Sequence, residues 1–234
     1  MITTCSQPSP ELARLQFISM IPSVNATIII SPTNDSSSGK SHKLNYAATT
    51  GYMKFEPGQY LITYSADGEK ILNHTFALGK KSYQTLVIAG MMPDSTRINP
   101  QTFWFSIKNV LAGSEATSIN AYLPQFLMLR DRWRGSKTKG TIRFINTSPL
   151  ADNLRIKDRS GNLDQQIVYP RNTEPASVKA GTHSLKFFLG DVVLAQKSIT
   201  AEKGYTHTVI MGNAVSSDSS LKITSYKTAS KALQ

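Results

Sequence analysis

The sequence predicts an all-β protein made of two tandem β-sandwich domains. Three observations carry that expectation: short β-branched runs set between turn residues, a repetition of those runs at a nearly constant offset, and a composition able to bury two cores. Of 234 residues, 40% are hydrophobic and 18% charged, which excludes a disordered chain. No stretch approaches the ~18 consecutive apolar residues of a membrane-crossing helix. A single cysteine excludes a disulfide framework and any zinc site on paired cysteines.

Residues 1–12 read as a flexible, polar N-terminal tether. Within it, Cys5 and the polar stretch 6–10 resemble the first mature residues of a bacterial lipoprotein, so Cys5 is a candidate for lipid attachment; the alternative is an ordinary thiol in a mobile tail. The first sandwich is expected over 13–110, with strands at 15–18, 26–30, 60–64 and 85–88 and an extra strand at 103–107 closing its sheet. A connecting segment follows at 111–139. Ala, Leu and Glu in 110–129 predict a short helix that Pro124 interrupts, leading into a basic linker from Arg130 to Gly140. The second sandwich is expected over 140–226, with strands at 141–145, 184–188, 206–211 and 221–226, before a C-terminal tail at 227–234. Turns at 56–58, 66–68, 160–162 and 189–191 carry Gly, Pro, Asn or Asp where tight reversals need them.

The repeat is the sharper signal. Phe17, Ile18 and Pro22 recur as Phe144, Ile145 and Pro149, a shift of 127. Gly58, Tyr60 and Tyr64 meet Gly181, His183 and Phe187 at a shift of 123. Tyr83, Val87 and Ile88 meet Tyr205, Val209 and Ile210 at a shift of 122. This match sets His207 against Thr85, and it predicts that Tyr83 and Tyr205 act as paired tyrosine corners, ring in the core and hydroxyl on nearby backbone.

The motif Arg143-Phe144-Ile145-Asn146-Thr147-Ser148-Pro149, followed by 151–156, resembles the opening of a bacterial domain of unknown function of the Arg-Phe-Val-Asn-Ala-Ser-Pro type. Its hairpin turn corresponds to 56–60 and 179–183, and its Gly-Lys-x-Tyr-Thr-Val-Val strand to 202–210. The resemblance implies two tandem immunoglobulin-like β-sandwich domains, here joined by a partly helical basic linker. It also implies export to the periplasm, outer membrane or cell surface. A weaker resemblance, over 139–146 and 157–162, is to AlgF, the periplasmic accessory protein of alginate O-acetylation. Residues 91–139 match neither family.

The chemistry points to binding. No nucleophile elbow, phosphate loop or His-Glu-x-x-His pair occurs, and His42, His74, His183 and His207 lie far apart. Neither an enzyme nor a cofactor or metal site is expected. The net charge of +11 gathers in part at Arg130, Arg132, Arg134, Lys137 and Lys139 around Trp133, with Arg155, Lys157 and Arg159 following. If 155–159 is a strand, these three share one face. Such residues suit an anionic ligand, with Trp133 stacking on a sugar or base. The plainer reading is a solvated linker whose tryptophan sits in the domain interface. The expected partners are envelope proteins or anionic polysaccharide, through an adaptor role of general or AlgF-like kind. Nucleic acid is the lesser alternative, since charge alone suggests it.

Overall fold

β-Branched and aromatic runs form the strands of both halves. The computed structural model describes residues 11–22, 25–90, 123–131, 134–151, 153–213, 221–229 and 231–232. Cys5, 103–107, Arg132 and Trp133 lie outside them. The first half comprises β1 (Ala13–Ser19), β2 (Ala26–Pro32), β3 (Lys40–Leu44), β4 (Met53–Phe55), β5 (Gly58–Ala66), β6 (Glu69–Leu78), β7 (Tyr83–Ala89) and β8 (Gln125–Arg130). Its two sheets run β4-β1-β7-β8 and β3-β2-β5-β6. A short β9 (Arg134–Gly135) follows. The second half comprises β10 (Lys139–Asn146), β11 (Asn153–Asp158), β12 (Asp164–Val168), β13 (Arg171–Asn172), β14 (Ala176–Lys179), β15 (Gly181–Leu189), β16 (Val192–Ala201), β17 (Tyr205–Asn213) and β18 (Leu221–Ala229). Here β10 pairs with β17, which pairs with β18, while β13 and β14 share the other edge of β10; the opposing sheet runs β12-β11-β15-β16. β19 (Lys231–Ala232) pairs with β9.

The halves are copies of one β-sandwich. β1 pairs in parallel with β7, and β10 likewise with β17. The β5–β6 and β15–β16 hairpins each carry a register irregularity, after Tyr64 and after Phe187, 187 − 64 = 123 residues apart. The ladders correct one sequence match. Ile18 lies opposite Val87 and Ile145 opposite Ile210, so the counterpart of Val87 is Ile210, a shift of 123 and not 122. Burial agrees: Leu86 and Val209 fill the two cores, whereas Val87 and Ile210 face the other way. A slip of one residue exchanges the faces of a strand. Tyr83 and Tyr205 are therefore not equivalent, and the paired tyrosine-corner expectation fails. Tyr205 is 36% exposed, with the Lys227 ammonium 5.1 Å from its ring centre. Tyr83 instead meets the Tyr52 ring edge-on. By the same ladders the counterpart of Thr85 is Thr208, not His207.

Among the described residues there is no α-helix, and the C-terminal part of the predicted helix is β8. Leu and Met favour helix locally, but burial here has period two. Phe126 and Met128 pack on the first core while Leu127 and Leu129 pack on the opposite side. Tertiary contact overrides propensity. β8 lies beside β7 at the edge of the first sheet, and the extra strand expected at 103–107 lies outside the described residues.

Each sandwich has its own core, centred on Phe17 and Phe144, both wholly buried. A third apolar cluster joins Ile18, Met20, Val87 and Leu129 of the first half to Ile145 and Ile210 of the second. The sheets containing β1 and β10 thus pack face to face, and the other two sheets lie outermost. That layering explains two burial patterns: β10 is buried on both faces, whereas β11 alternates exposed and buried residues.

Polar groups complete the junction. Arg143, 1% exposed, donates from Nη2 to Asp131 Oδ1 at 2.8 Å and to Thr208 Oγ1 at 2.9 Å, and from Nη1 to the Arg130 carbonyl at 2.7 Å. Asp131, fully buried, also accepts from Thr85 (2.5 Å), Tyr52 (2.9 Å) and Tyr226 (3.0 Å). Gln16, the counterpart of Arg143, donates to Thr85 at 2.7 Å. Corresponding polar pairs of the two copies therefore converge on one carboxylate.

This junction aligns the copies. Thr228, beside the start of β17, donates to the carbonyl of Asp131, whose own N–H bonds Tyr83 at the start of β7. At the far end, Met20, just past β1, lies against Gly212 near the end of β17, beside Thr147 just past β10. The parallel strand pairs of the two halves run in the same direction, and their starting ends lie together.

Candidate anion-binding cleft

At that starting end, the second sandwich opens into a cleft of about 530 Å³ between the β11–β12 turn (158–162) and the β14–β15 turn (179–184). Gly161 and Gly181 hold the turns with φ of 75° and 140°, conformations that favour glycine. The Arg159 N–H donates to the Ser184 carbonyl at 3.0 Å, tying one turn to the other.

His183 is the main clamp. It is 8% exposed, with Nε2 2.8 Å from the Lys179 carbonyl and Nδ1 2.8 Å from Asp158 Oδ2. A carbonyl and a carboxylate can only accept, so the two contacts favour the doubly protonated ring. Burial opposes the charge, but the bonds to Asp158 and Lys179 prevail and raise the His183 pKa. Burial likewise opposes ionisation of Asp158, yet bonds from Ser160 and His183 lower its pKa.

These shifts carry a stability prediction. The Asp158 contribution is complete above the ordinary carboxylate value of 3.8 and is lost as pH falls through its depressed folded value. The His183 contribution is complete below 6.5 and is lost as pH rises through its raised folded value. The clamp therefore stabilises most between 3.8 and 6.5. His183→Tyr, which copies Tyr60 and its bond to a backbone carbonyl, should remove this pH-dependent part from urea-unfolding curves. An unaltered pH profile would refute the clamp.

Ser160, His183 and Asp158 are the residue types of a hydrolase triad, but they are wired differently. Ser160 Oγ donates to Asp158 Oδ2 at 2.6 Å, the same oxygen that His183 engages. The other histidine nitrogen is committed to Lys179. The imidazole bonds Asp158 and Lys179 and leaves the hydroxyl to the carboxylate, so the arrangement ties the two turns together and is not a Ser–His–Asp relay. Among the described residues no cluster of His, Cys, Asp or Glu could hold a metal.

The residues singled out in the sequence fall into two places. Arg130 is exposed at the end of β8, opposite Gln84 at the start of β7. Lys137 and Lys139 are exposed on the approach to β10, and Lys139 lies directly opposite Lys179. The backbone of Arg134 pairs with Lys231. Arg159 lines the cleft. The described part of the linker, Arg159 and the cleft thus occupy one end of the molecule. Arg155 and Lys157 lie elsewhere, on the outer face of the sheet containing β11. Arg155 is held by Asp164 through Nε–Oδ1 at 2.8 Å and Nη2–Oδ2 at 2.5 Å, and Lys157 sits 5.9 Å from the Phe188 ring centre. Arg159 follows the strand in its turn, so the three do not share a face. Sequence reasoning missed Lys179, whose signal was its place in the repeated hairpin turn.

No protein-family model matches the chain, and no curated protein does. Several solved structures are similar in part. A Bacteroides ovatus protein to which a role in cell adhesion has been attributed is 8% identical, with TM-score 0.31 over 95% of this chain and 99% of that one. A family 26 carbohydrate-binding module from Eubacterium rectale Amy13K, in complex with maltoheptaose, is 11% identical, with TM-score 0.27 over 92% and 97%. The fimbrial anchor protein Mfa2 of Porphyromonas gingivalis is 6% identical, with TM-score 0.23 over 93% and 98%.

Proposed function

We propose that this protein is a non-enzymatic binding module of the cell envelope or extracellular space that grips anionic polysaccharide at the end bearing the second-sandwich cleft. The observation that carries the reading is the charge balance of the cleft. The Asp158 carboxylate is bonded to His183, and the permanent cations Arg159 and Lys179 give the lining its net positive charge. Lys139 stands opposite Lys179, and such directly opposed like charges destabilise a strand pair unless an anion relieves them.

Ser160 and Asn162 of the β11–β12 turn stand beside the cations in the lining. A guanidinium pairs with a carboxylate through two parallel bonds, and hydroxyl and amide groups suit sugar hydroxyls. The family resemblance of 143–149 supports an envelope location. Presenting a polymer to acetylation machinery, as the AlgF resemblance suggests, is one use of such a grip.

The test is binding of a polyuronate such as alginate. Arg159→Gln with Lys179→Gln should weaken it about ten- to a hundredfold and flatten its salt dependence. Unchanged affinity would overturn the reading.

A further inference from the structure

The first sandwich has a cleft of its own in the corresponding place. It encloses about 320 Å³ between the β2–β3 connection and the β4–β5 turn, with Lys40, Lys54, Glu56 and Tyr60 in its lining. The architecture repeats in detail. Tyr60 donates its hydroxyl to the Glu56 carbonyl at 2.9 Å, as His183 donates Nε2 to the Lys179 carbonyl at 2.8 Å. Both residues of that pair are displaced by 123 (183 − 60 and 179 − 56). Lys40 and Lys54 are both exposed, and Glu56 offsets only one of their charges.

The two clefts open at the same end. Phe55, in the wall of the first, lies opposite Ala13 at the start of β1. Lys179, in the second, lies opposite Lys139 at the start of β10. The starts of these strands lie together because Asp131, Thr228 and Tyr83 meet at one end and Met20 and Gly212 at the other. The chain that passes between the sandwiches at this end carries the exposed Arg130, Lys137 and Lys139. With sheets stacked about 10 Å apart, the sandwich midplanes are about 20 Å apart.

We propose that the first-sandwich cleft is a second subsite for the same anionic polymer, so that one chain runs from cleft to cleft across the basic linker. The proposal rests on the anionic-polysaccharide reading and adds bivalence to it. Two tethered weak contacts raise the affinity for a long ligand without changing that of a ligand too short to reach both.

Calorimetry with a short oligouronate and with the polymer separates the two ideas. In the wild type the polymer should bind at least about tenfold more tightly per site than the oligomer. Lys40→Gln with Lys54→Gln should abolish most of that gain and leave oligomer binding at the second cleft within about twofold. Undiminished polymer affinity in this variant would overturn bivalence while leaving the single-cleft reading intact. An equal loss for oligomer and polymer would also overturn it, since the lysines would then act through one shared field. Failure of the wild type to bind either ligand would overturn the underlying reading itself.

Discussion

Asp131→Ala is expected to cost about 3–5 kcal/mol, the usual penalty for removing one partner of a buried ion pair. The variant leaves the Arg143 guanidinium, 1% exposed, without its carboxylate. It also strips an acceptor from the hydroxyls of Tyr52, Thr85 and Tyr226. Burial and the Asp131 charge both push the pKa of Tyr52 and Tyr226 upward, so these phenols remain donors in neutral solution. The loss falls on the junction between the sandwiches, and urea unfolding should change from one transition to two. Asp131→Leu combined with Arg143→Met should restore most of the stability, because an apolar replacement of a buried pair is often neutral or better. A double variant as unstable as the single one would show that packing, not uncompensated charge, governs this junction.

Phe144→Ala is expected to cost a further large amount, about 3–5 kcal/mol. Its ring is wholly buried in the second core, among Leu154, Ile156, Leu185 and Phe187. Phe17→Ala should cost the same for the same reason, since Phe17 fills the repeat-equivalent place among Ile28, Ile62 and Tyr64. The two clusters share no residue. The double variant should therefore lose the sum of the single losses to within about 0.5 kcal/mol. Urea titrations of the four proteins check this, and strong coupling would mean that the cores do not act separately.

Much of the fold was legible because the repeat is written in core residues. Phe17 and Phe144, or Gly58 and Gly181, recur where a sandwich needs bulk or a turn. The order of the layers was not legible. β1 and β10 are buried on both faces only because the other copy covers one of them, and no local pattern states which partner does so. Arg143 is visible in the sequence only as the first residue of the family-like motif 143–149. Its partner, Asp131, was hidden as the lone acid in a basic stretch.

The candidate site was half legible. Arg159 and Lys139 were marked by charge, and the structure places them at one end with Lys179. Arg155 was marked by the same logic, but hairpin pairing brings Asp164 to it from nine residues away. The exchange of His183 with Tyr60 was visible as a structural substitution. That both side chains latch the same turn through a backbone carbonyl needed three-dimensional geometry.

The central claim is that the second-sandwich cleft, and not the outer sheet, takes the anionic ligand. The direct measurement is backbone amide chemical-shift mapping by NMR during titration with a short oligouronate. Perturbations concentrated at 158–162 and 179–184 are the predicted result. Perturbations centred instead on Arg155, Lys157 and Lys186 of the outer sheet, or none at all, would contradict it.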